Sequence, residues 1–228
     1  MLEHTVPEDN FLIWPSEAEA AFRAAPGADL GAAWLSEHDI DPDPVTAALG
    51  EVKLVDAVMS YDYDVAAIRP ADLKSVCGRM ILSIGSGAPT ALAVPVIEEG
   101  HFVDLLFIVR GSPDAFLACE RAGWLGRDCL HTGATVRLHA DPMDWLRAGC
   151  KGLCHVSRHG SMRAFEDLHS AERILCADVE TALTAWEWGF GCDDDALARF
   201  EIDAAPDEIR AHIEREARHA AILARRRM

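Results

Sequence analysis

The chain has 228 residues, 50% of them apolar and 26% charged, and a formal net charge of −17. That composition excludes intrinsic disorder, and so acidic a chain is a poor fit to nucleic-acid backbones and anionic membranes. Seven scattered cysteines, an odd number, do not read as a secreted disulfide scaffold.

The opening MLEHTVPEDNFLIWP has no basic region and too short an apolar run for a signal peptide. No stretch approaches the roughly 18 apolar residues of a membrane helix, so the expected location is the cytoplasm.

In chain order, the first fifty residues read as three short helices. SEAEAAFRAA offers Ser16 as an N-cap with Glu19 three positions on. A second helix is expected over 30–38. A third begins at Pro44 and stops at Gly50. EVKLVDAVM then reads as a strand, and VAAI as either another strand or a helical continuation. PADLKSVC reads as a helical turn or two, and RMILSIGSG as a strand running into a glycine loop.

TALAVPVI and HFVDLLFIV, separated by EEG, predict a hairpin. Their nearly continuous apolar character predicts cover on both faces. Pro95 places the first of them at an edge or a bulge. A mixed segment over 112–130 leads to a strand, ATVRLHA. DPMDWLRAG predicts a helix capped by Asp141, with Pro142 in its first turn. LCHV is a short strand, SMRAFEDLHSAE a helix, RILCA a strand, and DVETALTAWEWGF a helix closed by Gly189 or Gly191. DDDALARF reads as one more helix. The chain ends in PDEIRAHIEREARHAAILARRRM, a long helix with acids first and arginines last, the order that suits the helix dipole.

Strand–helix alternation in the second half predicts an α/β or α+β protein with a mixed central sheet and flanking helices. The simplest organisation is one globular domain: a helical segment over 1–50, a sheet-containing core over 51–205 and a C-terminal helix over 206–228.

The charge is uneven. Residues 1–75 hold 15 acids against 4 bases, and residues 207–228 hold 4 against 6. The basic side is almost all arginine, with only Lys53, Lys74 and Lys151 as lysines; with the many alanines, this fits a GC-rich bacterial genome.

The densest group of reactive side chains is GCKGLCHVSRHG, which holds Cys150, Cys154, His155 and His159. Thiolates and imidazoles are the ligands zinc prefers, so these four are the candidate metal ligands, with His131 or His139 as a possible second group. The same four are candidates for Cys–His nucleophilic catalysis, with Asp144 nearby. Arg147, Lys151 and Arg158 make the surroundings locally basic. Against a helix there stand Gly149 and Gly152. The bland alternative is a turn and a short strand with Cys154 buried.

SIGSGAPT follows a strand as phosphate loops do, but it lacks Gly-Lys-Ser/Thr and is followed by another strand. A hairpin turn is the expected reading. Trp186 and Trp188, two apart on one helix, cannot share a face, so one is expected at the surface, where it could mark an interface.

ERILCADVETALTAWEWGFG resembles the first motif of toprim domains, in which a glutamate ends a strand before a helix of small residues. Here Asp178 takes that place, Val179 replaces the usual glycine, and the later Asp-x-Asp is missing at the right distance. The assignment is rejected, with Asp178 and Glu180 kept as acidic-site candidates.

VDLLFI, RAGWLG and VRLHADPMDWLRAGCKGL, within residues 102–156, are similar to hypothetical proteins of alphaproteobacteria and their mobile elements. That group carries no established activity, so the resemblance implies a bacterial accessory protein and assigns no residue a role. The reading is therefore an accessory or protein-interaction protein, with a protein partner or a second copy as its target. The rival is a small hydrolase or transferase centred on residues 144–159.

Overall fold

The computed structural model describes residues 14–61, 64–65, 79–83, 90–111, 115–156 and 162–202. The α/β or α+β class holds, with the strands divided between two sheets. Three helices come first: α1 (Pro15–Ala24), α2 (Ala28–Glu37) and α3 (Pro42–Leu49). α1 starts just before the expected cap at Ser16. Pro15 supplies its first turn, and the Glu17 carboxylate accepts from the Trp14 N–H at 3.2 Å. α3 also starts early, because Asp41 accepts from the Asp43 N–H at 3.0 Å and Pro42 follows it.

The first sheet is antiparallel. Its strands are β1 (Lys53–Tyr61), β2 (Asp64–Val65), β3 (Arg79–Ser83), β4 (Ala91–Glu98), β5 (His101–Val109) and β6 (Ala115–Leu117). The order is β2-β1-β4-β5-β6, with β3 also on β1. The predicted hairpin is β4–β5, joined at Glu99 and Gly100, both with positive φ as a tight primed turn requires. β4 is an interior strand, yet β1 pairs with it only at Ala91–Ala93. Pro95 lies beyond that pairing and next to an irregularity at Val96/Ile97, which reconciles proline with an interior strand. PADLKSVC, residues 84–89 of the expected glycine loop and the expected C-terminal helix lie outside the described residues.

Both faces of β4–β5 are covered, as their apolar runs predict. Ala91, Ala93, Leu105, Phe107 and Val109 pack with Ala18 and Phe22 of α1. Leu92, Val94, Leu106 and Ile108 face the other way, toward Trp34, Leu35 and the second sheet.

The second sheet is mostly parallel. Its strands are β7 (Trp124–Leu125), β8 (Ala134–His139), β9 (Leu153–His155), β10 (Ala171–Cys176) and β11 (Phe200–Ile202), in the order β11-β10-β8-β9-β7. Only β7 runs antiparallel to its neighbour. The connections are α4 (Pro142–Arg147), α5 (Met162–Glu166) and α6 (Val179–Phe190). Three-residue β11 was not foreseen; it is too short for a period of two to show. The expected helix before it is a 3₁₀ helix over Asp194–Arg199.

α4 caps as predicted, with the Asp141 carboxylate accepting from the Asp144 N–H at 2.9 Å. Trp145 and Leu146 of α4 pack in the core shared with the first sheet, whereas Ala182 and Ala185 of α6 pack with Val136, Leu138 and Ile174 on the opposite face. The chain therefore leaves the neighbouring strands β8 and β10 toward opposite faces. That is a topological switch point, and it opens a crevice beyond the carboxyl ends of the strands.

Candidate functional site at the switch point

Alternation along a strand decides the fate of the Cys/His group. Successive side chains of β9 point to opposite faces. Cys154 is fully buried among Leu92, Val94 and Trp145, in the core between the sheets. His155 lies on the other face, its ring 5.2 Å from Trp124 and 4.5 Å from Phe165. Cys150 is half-buried against the same core as Cys154 and sits in a left-handed conformation at φ 62°. The structure thus divides Cys154 from His155; His159 lies outside the described residues.

The turn between α4 and β9 rules out a helix there for the reason expected. Gly149, Cys150 and Gly152 all have positive φ. A Cβ on Gly152 would sit 2.5 Å from the Arg137 carbonyl, and one on Gly126 would sit 2.1 Å from the Gly152 carbonyl. Glycine is required at both by close approach of backbone.

Burial fixes the protonation of these groups. It pushes the Cys150 thiol up to about 12 and raises Cys154 further, with the Asp141 and Asp144 carboxylates adding to it. Both are thiols at neutral pH, and the thiolate is what nucleophilic attack and zinc ligation use. Burial pushes the His155 imidazole down to about 4, so it is neutral, and its Nε2 is buried without a hydrogen-bond partner. His139 is engaged, its Nε2 2.8 Å from the Lys151 carbonyl, and His131 Nδ1 lies 3.1 Å from the Cys129 carbonyl. Among the described residues no three His, Cys, Asp or Glu side chains come together to hold a metal ion. Asp144 pairs with Arg147 at 2.7 Å.

The switch-point crevice has a volume of about 340 Å³. Its walls are the ends of β8 and β9 (Leu138, His139, Ala140, His155), Phe165 of α5, and the first half of α6 with its cap (Asp178, Glu180, Thr181, Thr184). Asp178 is held by accepting from the Thr181 N–H at 2.7 Å, which starts α6. Four residues singled out from sequence, His139, His155, Asp178 and Glu180, meet at this crevice. Phe165, Thr181 and Thr184 were missed. Thr181 and Thr184 stand a turn apart on one helix face, and that spacing was the only available signal.

An aromatic row runs from beneath the crevice to the surface. Trp124 contacts His155 and Phe165, and Phe165 meets Trp188 at 5.7 Å. Trp188 is 38% exposed, whereas Trp186 is half-buried and donates its Nε1–H to the Asp193 carbonyl at 2.7 Å.

No family model, curated protein or solved structure matches the chain.

Proposed function

We propose that this chain is a bacterial accessory protein that works by binding a protein partner, with the parallel-sheet half as its working half. The observation that carries the reading is Trp188. It is one of three large apolar side chains exposed among the described residues, and it is rigidly backed by Phe165 and the buried Trp124. A tryptophan held on an aromatic backing loses little freedom on binding, which is the character of an interface anchor. The bias toward arginine and alanine supports a bacterial source.

Capture of partners from host extract, together with sedimentation of the pure protein, tests this. Wild type should retain a partner or self-associate, and Trp188→Ser should lose at least about tenfold in affinity while remaining folded by circular dichroism. No partner and no self-association, or equal capture by the variant, would overturn the reading.

A second reading is a small hydrolase or transferase. Its support is the meeting of His139, His155, Asp178 and Glu180 at one crevice. The Cys150 and Cys154 version of it predicts fast thiol labelling at neutral pH. Rates no greater than that of a free model thiol remove both cysteines from the chemistry.

A further inference from the structure

We infer that the cleft between the two sheets binds an apolar α-amino acid, its zwitterionic head at the rim and its side chain within. The inference is independent of the protein-binding proposal and of the switch-point crevice. The cleft exists because β1 leaves β4 early. β1 pairs with β4 only at Ala91–Ala93, and the end of α3 takes its place beside residues 95–97. The second sheet supplies the opposite wall, from the turn after β7 and the turn between α4 and β9. The volume of about 450 Å³ falls within the range that holds small ligands.

The rim carries a charge of each sign. Asp128 and Lys151, both exposed, line the cleft from the two facing turns. Those turns are locked together through their backbones. Gly126 has no room for a Cβ against the Gly152 carbonyl, which also accepts from the Trp145 Nε1–H at 3.0 Å. Asp128 is oriented too, because its Oδ1 accepts from the Glu99 N–H at 2.8 Å. A carboxylate has a second oxygen that can accept from an ammonium, and the Lys151 ammonium, a donor only, calls for a carboxylate. A ligand carrying either charge alone would gain from one of these groups and be repelled by the other. A zwitterion satisfies both. Below the rim, Leu49, Ile97 and Cys150 are half-buried and present apolar surface. Covering that surface favours an aliphatic or aromatic side chain over the bare head group.

Equilibrium dialysis of L-leucine and L-phenylalanine against the full chain tests this. At least one should bind with a dissociation constant below about 5 mM. It is compared with its own form lacking the amine (isocaproate or hydrocinnamate), its form lacking the carboxylate (isoamylamine or phenethylamine), and glycine, which lacks the side chain. Each of these should bind at least about tenfold more weakly. Lys151→Gln should shrink the preference for the amino acid over the amine alone and leave its preference over the carboxylate alone. Asp128→Asn, which keeps an acceptor for the Glu99 N–H, should do the reverse. Both positions are exposed, so both variants should fold, as circular dichroism checks. Should a variant fail to fold, the truncated probes on the wild type still decide. The inference is overturned if neither amino acid binds, or if any truncated probe falls short of the tenfold loss (about 1.4 kcal/mol). A preference that does not shift in its matching variant overturns it too.

Discussion

His155 is held neutral at a cost that depends on pH. Its imidazole titrates at about 4 in the fold against an ordinary 6.5, because burial disfavours the charged form. Between those values the unfolded chain binds more protons, so stability rises with pH. The contribution is complete above about pH 6.5 and is lost as pH falls toward 4, an effect on the order of 3 kcal/mol. Unfolding in urea at a series of pH values should show a shallower acid limb for His155→Phe, which keeps the ring contacts without the titration. An unchanged limb would contradict this.

Two buried charges have structural roles of similar weight. Asp104 is fully buried, and its carboxylate accepts from the backbone N–H groups of Leu105 and Cys119, both at 2.8 Å, and of Arg121 and Ala122 at 2.7 and 3.1 Å. It shapes the bend after β6. The Lys53 ammonium donates to the carbonyls of Phe22, Arg23 and Ala25 at 2.9, 3.2 and 2.7 Å, closing the C-terminal end of α1. Asp104→Ala strands four donors and should cost about 3–5 kcal/mol. Lys53→Met should cost about 2–3 kcal/mol by stranding the carbonyls. Chemical denaturation reads both; a loss under 1 kcal/mol (about the worth of one ordinary hydrogen bond) at Asp104 would refute its role.

At the scale of elements, caps set the boundaries. Asp41, Asp141, Asp178 and Asp193 each accept from a backbone N–H at the start of a helix. α6 matters most, because its first half forms a wall of the crevice. Asp178→Ala should cost about 1 kcal/mol, or roughly 2–4 °C in unfolding temperature for a chain this long. No change by calorimetry would mean the cap contributes nothing. Elements whose signals are local were legible in the sequence. The Asp-Pro start of α4, the apolar β4–β5 pair and the strand–helix alternation all fall in this class. Asp104 and Lys53 were not legible, because their partners lie 15 to 18 and 28 to 31 residues away apart from the adjacent Leu105 N–H. The separation of Cys154 from His155 needed only the period of a strand, yet their closeness in sequence suggested one site.

Across the whole molecule, an antiparallel sheet and a mostly parallel one share a core in which Leu92, Leu106, Trp145 and Cys154 meet. The expected cysteine chemistry falls inside that core, and the polar groups gather instead at the far face, beside α6. The fold class was readable from the order of the elements; the site was not, since it depends on which face each connection takes. Among the described residues, Trp188 is one of three large apolar side chains left exposed, with Trp14 and Leu30. The most direct measurement of the binding account is parallel capture from host extract by wild type and Trp188→Ser, with sedimentation of both. The account predicts a complex or self-association with the wild type, weakened at least about tenfold in the variant while the variant stays folded. Identical behaviour of the two proteins, or a monomer that retains nothing, would contradict it.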